Sequence, residues 1–347
     1  MPLHGILGGG SSTLDQFGQG LSMHVLLTGG AGFIGFHASL TLLARGHSVT
    51  AVDELNAYYD PALKTARLKQ LEGRNLYRFA KADIAAPGAL ADAAQGEHYD
   101  VILHLAAQAG VRYALQDPAA YTRSNLVGHQ NVLEFARHHE GLQHLVYASS
   151  SSVYGNDTKP PYSEDARADR PVSYYGATKR AGELLSYSYA DLFGLKQTGL
   201  RFFTVYGPWG RPDMAYWLFT DSILKGKPIP VFGGGKLRRD FTYIDDIVNA
   251  VVRIVETPFA GEKDQAPHRV YNLGNSHPEE VSTLIAIIEE ATGKRAIIEQ
   301  TQGPPGDVRE TYADISRAAR DFGFSPSVPL KDGIPRFVNW FREYRKL

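Results

Sequence analysis

The stretch MHVLLTGGAGFIGFHASLTLLARG, residues 23–46, constrains this chain more than any other. A short apolar run, 23–29, reads as a buried strand, and helical spacing begins at Phe33. Between them stands Gly29-x-x-Gly32-x-x-Gly35. Glycines at that spacing allow a tight turn and let backbone approach a pyrophosphate, while the helix start offers free N–H groups and a positive dipole end. Phe33 and Ile34 stand at that helix start. Asp53 ends the next strand, 18 residues after Gly35. A carboxylate there accepts bonds from ribose hydroxyls and repels a 2′-phosphate, which favours NAD over NADP.

Strand-like and helix-like segments alternate for the next hundred residues. Strands are expected at 47–53, 76–84, 100–107 and 144–150, and helices at 33–46, 60–73 and 118–139. Such alternation predicts an α/β fold with a doubly wound parallel sheet and right-handed crossovers. Ligands in such sheets bind beyond the carboxyl ends of the strands. Asp83 and Ile84 are therefore candidates to hold the adenine, and Leu105, Ala106 and Ala107 to wall the pyrophosphate and ribose. After about residue 200 prolines and glycines cluster, at 207–212, 226–235 and 303–306, and the strands shorten to PIPVF and RVYNLG. The expected organisation is a cofactor domain over 23–200 and a smaller mixed α/β substrate lobe over 201–347, with segments crossing back. Residues 1–22, rich in Gly and Ser, read as a disordered leader or expression remnant.

Composition excludes several classes. The net charge of −1 argues against nucleic acid or an acidic membrane as partner. No apolar run reaches the roughly 20 residues that span a bilayer. The chain has no cysteine, hence no disulfide framework and no thiolate chemistry, which fits a reducing, cytoplasmic setting. No metal site is expected.

The chemical signal is Tyr175-x-x-x-Lys179 in SYYGATKRAGELL. A spacing of four puts both side chains on one helix face. A free tyrosine has a pKa of about 10, so its anion is scarce at neutral pH. A nearby ammonium and a positive nicotinamide ring favour that anion and make Tyr175 a base for an alcohol proton.

The glycine motif, the serine run before VYG (ASSSSVYG, 148–155) and the Tyr/Lys pair together resemble the extended short-chain dehydrogenase/reductases. NAYYDPALKTARL, LAAQAGVRYAL, LRFFTVYGPWGRPDMA and RRDFTYIDDI narrow the likeness to the UDP-glucuronate 4-epimerase branch. The resemblance implies a Rossmann-type domain, a tightly bound and recycled NAD, a UDP-sugar substrate and a homodimer formed through helices 117–139 and 173–193. It implies inversion at C4 through a 4-keto sugar, with Tyr175 as base, Lys179 on the nicotinamide ribose and Ser150 on the reacting oxygen. By the same matching Asn56, Gln108 and Asn125 lie near the cofactor. Glu54 departs from the pattern, since relatives commonly have a small polar residue beside the ribose acid.

In related dehydratases an Asp-Glu pair precedes VYG, and decarboxylases have a Glu there. This chain has Ser151 and Ser152. Hydroxyls donate to a carboxylate without like-charge repulsion. They are expected, with Thr204, to cradle the C6 carboxylate of a uronic acid and disfavour loss of CO₂. Family matching assigns Arg239 and Arg309 to the pyrophosphate, Arg211 to the uronic acid and Phe232 to the uracil. The alternatives are a UDP-glucose/galactose 4-epimerase, a UDP-glucuronate decarboxylase, or a nonenzymatic NAD-sensing regulator.

Overall fold

The computed structural model describes residues 22–259, 265–302 and 310–347. The expected leader, Ser22 apart, and Arg309 lie outside the described residues. The first six strands are β1 (His24–Thr28), β2 (Ser48–Asp53), β3 (Tyr77–Lys81), β4 (Val101–His104), β5 (His144–Ser150) and β6 (Gln197–Phe202). With β10 (His268–Leu273) they form one sheet in the order β10-β6-β5-β4-β1-β2-β3. Every pairing in it is parallel. The chain winds one way from β1 and the other way from β4, so a crevice opens between their carboxyl ends.

Why these segments are strands is visible in β1. Val25 and Leu27 pack into one core and Leu26 into another, all fully buried. Period-two alternation sends neighbours to opposite faces, and both faces are covered by helices. On one side lie α1 (Phe33–Ala44) and α8 (Ile244–Glu256), joined through Phe33, Leu42, Ile247 and Val251. On the other lie α3 (Ala89–Ala94) and α5 (Gly128–His138), through Leu90, Ala93, Val132 and Leu133. The helix α2 (Pro61–Leu71) starts where Asp60 accepts the Ala62 N–H at 2.9 Å, with Pro61 preset in its first turn.

The single helix expected over 118–139 is interrupted. Its first turn is α4 (Pro118–Tyr121), a π-helical segment follows over Thr122–Val127, and α5 completes it. Asn125 stands in the π segment, a geometry that often marks functional positions.

The boundary expected at residue 200 falls inside β6, and RVYNLG crosses back as the sheet's edge strand β10. Beyond β6, β7 (Thr204–Tyr206), β9 (Arg238–Tyr243), β11 (Pro278–Glu280) and β13 (Glu310–Thr311) make a second sheet, and β8 (Pro228–Phe232) pairs with β12 (Ile297–Thr301). Asp240 anchors this region, accepting N–H bonds from Asn275, Ser276 and Ala313 at 2.7–3.1 Å. Helices α7 (Ala215–Leu224), α9 (Val281–Thr292), α10 (Ser316–Phe322) and α11 (Leu330–Arg345) enclose it, with Trp217, Phe337 and Phe341 packed edge to face or tilted. Among the described residues no helix is long and apolar enough to cross a membrane.

Candidate active site

The nucleotide end is built from backbone. Gly29 has φ +77°, and its N–H donates to the Val52 carbonyl at 2.7 Å. A Cβ on Gly29 would stand 2.7 Å from the Ala106 nitrogen, and one on Gly35 only 2.2 Å from the Gly29 oxygen. Only hydrogen fits at either position, so α1 descends directly onto the turn. Gly32 donates to the Gly29 carbonyl at 2.9 Å, and Phe33 and Ile34 turn their side chains into core packing. This is a cradle of the kind that receives a dinucleotide pyrophosphate. Leu105 and Ala106 form its far wall, continuing through Ala107 to buried Gln108.

Asp53 is fixed on both oxygens, accepting from the Ala31 N–H at 3.1 Å and the Leu55 N–H at 2.8 Å, with the Lys64 ammonium at 3.9 Å. Lys64 also donates to the Asn56 side-chain oxygen at 2.8 Å. Glu54 accepts from the Asn56 amide at 2.5 Å and lies 3.8 Å from the Arg123 guanidinium. Arg123 also contacts the Asp83 carboxylate. The neighbouring Ile84 is buried, and its carbonyl accepts from Asn131 at 2.8 Å. Sequence reasoning missed Lys64 and Arg123. A lysine on the buried face of α2 was the available signal for the first. The second stands in the π segment and meets Glu54 across 69 positions of sequence.

The chemical end lies where β5 runs out. The four serines do different things. Ser149 points into the protein and donates to Glu183 at 2.6 Å. Ser150 accepts the Ser152 N–H at 3.2 Å, which caps a 3-10 turn over Ser151–Tyr154. Ser151 and Ser152 remain partly exposed. A Cβ on Gly176 would lie 2.4 Å from the Ser152 carbonyl, so the serine turn rests backbone-to-backbone on α6 (Tyr174–Phe193). That helix begins where Ser173 accepts the Gly176 N–H at 3.0 Å. Asn125 ties the helix to the β4 loop, accepting from the Gln108 N–H at 2.8 Å and donating to the Gln108 carbonyl and the Thr178 hydroxyl at 3.0 Å each.

The Lys179 side chain is held by backbone. Its ammonium donates to the Ala148 carbonyl at 2.9 Å, and burial lowers its pKa to about 8 against the pull of Glu183. Burial pushes the Tyr175 phenol up rather than down. The charge that opposes this is the Arg211 guanidinium, helped by the Ser150 side chain. Arg211 is itself bound on two nitrogens by Asp213, at 3.0 and 2.5 Å, and Tyr58 donates to Asp213 at 3.0 Å. The Tyr121 ring meets Tyr175 edge-on at 6.1 Å. Tyr58, Tyr121 and Asp213 were not among the expected site residues. Tyr58 and Asp213 lay inside recognised segments, but nothing in their spacing marks them as partners 155 residues apart.

Thr204 stands at the same sheet end as the serines, because Ser150 pairs with Phe202 in the β5–β6 register. On β7 it faces Phe241, two residues past Arg239. Arg239 lies on β9 and donates to the Arg238 carbonyl at 2.9 Å. Phe232 ends β8, and the Arg112 guanidinium covers its ring at 5.2 Å. Behind the site, buried Arg201 and Glu183 join through two 2.8 Å bonds. Arg180 adds a third at 2.8 Å, and Arg201 reaches Tyr154 and through it Asn272 of β10. A cavity of about 640 Å³ opens outside that pair, away from the serine turn. Its rim arginines Arg180, Arg317 and Arg320 are each paired with a carboxylate.

The glycine cradle, the acid at the end of β2 and the Tyr/Lys helix under a strand end define an NAD-dependent oxidoreduction site on a doubly wound sheet. Residues 25–274 match the NAD dependent epimerase/dehydratase family, and the chain belongs to it. It is 44% identical to UDP-glucuronate 4-epimerase 1 of Arabidopsis thaliana, over 96% of this chain and 80% of that protein. It is 44% identical to Protein CapI of Staphylococcus aureus, over 93% of this chain and all of that protein. The crystal structure of UDP-glucuronic acid 4-epimerase from Bacillus cereus with UDP-glucuronic acid and NAD superposes with a TM-score of 0.86. That match has 35% identity and covers 93% of this chain and 100% of the other.

Proposed function

We propose that the protein interconverts UDP-glucuronate and UDP-galacturonate by oxidising C4, turning the 4-keto sugar and reducing its other face. The observation that carries this reading is the serine turn. Two partly exposed hydroxyls, Ser151 and Ser152, stand one helix contact from Tyr175, where an acid–base reaction at C5 would need carboxylates. The named relatives at 44% and 35% identity support it.

Gly29, Gly32 and Gly35 would hold the NAD pyrophosphate, Asp53 and Asn56 the adenosine ribose, and Asp83 with Ile84 the adenine. Gln108, Asn125 and Lys179 would line the nicotinamide side. Bound NAD supplies the two-electron oxidation at C4 and its reversal. Tyr175 takes the C4 hydroxyl proton on its phenol oxygen and later returns it, while Ser150 orients the reacting oxygen. Ser151, Ser152 and Thr204 donate to the sugar carboxylate, and Arg211 faces the uronic acid. Arg239 meets the UDP pyrophosphate, and Arg309, outside the described residues, is assigned there by the family resemblance alone. Phe232 stacks on uracil once Arg112 moves aside. Val127, Leu184, Tyr187 and Leu192 are large apolar side chains exposed on the π segment and α6, a face suited to pairing two copies. A homodimer in a reducing cytoplasm completes the reading.

The purified protein, given UDP-glucuronate and no added NAD, should form UDP-galacturonate. Recovery of only a UDP-pentose, or turnover of UDP-glucose at the greater rate, would refute the assignment.

A further inference from the structure

Arg211 raises a chemical difficulty for the proposed reaction. A 4-keto uronic acid loses CO₂ when its C5–C6 bond breaks and the electron pair moves into the C4 carbonyl, giving an enolate whose charge sits on O4. Water then protonates C5. No oxidant beyond the one that made the ketone is needed. A cation beside O4 stabilises that enolate as it would any developing oxyanion. O4 is the atom that Tyr175 must reach, and Arg211 is the cation that bears on the Tyr175 oxygen. A bare guanidinium there would promote the very reaction that an epimerase must avoid.

The structure does not leave it bare. Asp213 takes two nitrogens of Arg211, and Tyr58 donates to the same carboxylate. The backbone of the β4 loop closes over the pair. A Cβ on Gly110 would stand 2.4 Å from the Tyr58 hydroxyl and 3.3 Å from Asp213. Resting on the epimerase reading above, we propose that Asp213, held by Tyr58, is a specificity-determining positioning residue that cancels the charge of Arg211 and so suppresses decarboxylation of the keto intermediate. The charged and titratable groups facing Tyr175 agree with this role. Arg211 favours its anion and Asp213 opposes it, from the same loop. Ser150 comes from β5, Tyr121 from α4, and Lys179 from its own helix is engaged by Ala148. Burial works against a charged Asp213, yet the Arg211 pairing and the Tyr58 bond keep its carboxyl below the usual range.

The test compares wild type, Asp213→Asn and Tyr58→Phe on UDP-glucuronate. It scores the ratio of decarboxylated UDP-pentose to UDP-galacturonate, and the pH profile of kcat/KM. Asp213→Asn should raise that ratio at least about tenfold, and should move the acid limb to lower pH because an uncancelled Arg211 favours the phenolate. Tyr58→Phe should move both readouts the same way by less. Because the first readout is a ratio, a slow variant still reports. Wild type that forms no UDP-galacturonate overturns the epimerase reading and this inference with it. Wild type that epimerises, with ratio and acid limb unchanged in both variants, overturns this inference alone.

Discussion

Glu183→Gln is the substitution for which the structure gives the firmest magnitude. The Glu183 carboxylate is buried on α6 and accepts four hydrogen bonds: 2.6 Å from Ser149 and 2.8 Å each from Arg180 and two nitrogens of Arg201. Three of the donors are guanidinium N–H groups, and charge-assisted bonds contribute more than neutral ones. Glutamine keeps one acceptor and turns an NH₂ toward a guanidinium. Arg201 is then a buried cation without its counter-ion, which costs about 3–5 kcal/mol. At ~2 °C per kcal/mol for a chain of this size, Tm should fall by about 6–10 °C. Thermal denaturation of the purified variant measures this directly. The control is Glu183→Leu with Arg201→Met, which removes both charges and should lose far less. A fall below about 2 °C in the single variant would mean that the network carries little stability. pH offers a second check. Burial disfavours the charged form of Glu183, but its bonds from Arg201, Ser149 and Arg180 leave the folded pKa below the ordinary value. Its stabilisation is therefore present above the unfolded pKa of about 4.3 and is lost as pH falls through the depressed folded value.

Other substitutions probe the site itself. Tyr175→Phe should lower kcat by about 10²–10⁴-fold with the fold intact by circular dichroism, the loss expected for a general base; near-wild-type turnover would remove Tyr175 from the mechanism. Gly35→Ala forces a Cβ to 2.2 Å from the Gly29 oxygen, so NAD retained on purification, read from released nicotinamide nucleotide, should fall at least about tenfold, or ~1.4 kcal/mol. Full NAD content in that variant would show that the turn is not the pyrophosphate cradle. Arg123 balances both Glu54 and Asp83, so Arg123→Ala should speed NAD release and Glu54→Gln should offset part of the effect. A coupling of about 0.5 kcal/mol is expected for so exposed a cluster, and strict additivity of the two release rates would refute it.

Much of this molecule was legible as pattern. The apolar run before Gly29, the spacing of the three glycines and Asp53 at the end of β2 are local features. Their geometry follows from strand pleat, helix pitch and the steric freedom of glycine, so the cofactor half of the site could be read residue by residue. Tyr175 and Lys179 were equally visible, since a helix puts positions four apart on one face. What could not be read was which charge bears on the phenol. The helix supplies Lys179, but folding gives its ammonium to the Ala148 carbonyl and brings Arg211 to Tyr175 from a loop 36 positions further along the chain. Asp213 finds Tyr58, and Arg123 finds Glu54, across still longer stretches of sequence. Local structure depends on neighbours within a few residues, whereas electrostatics at a buried site depends on whatever packing delivers within a few ångströms, and only the tertiary fold decides that.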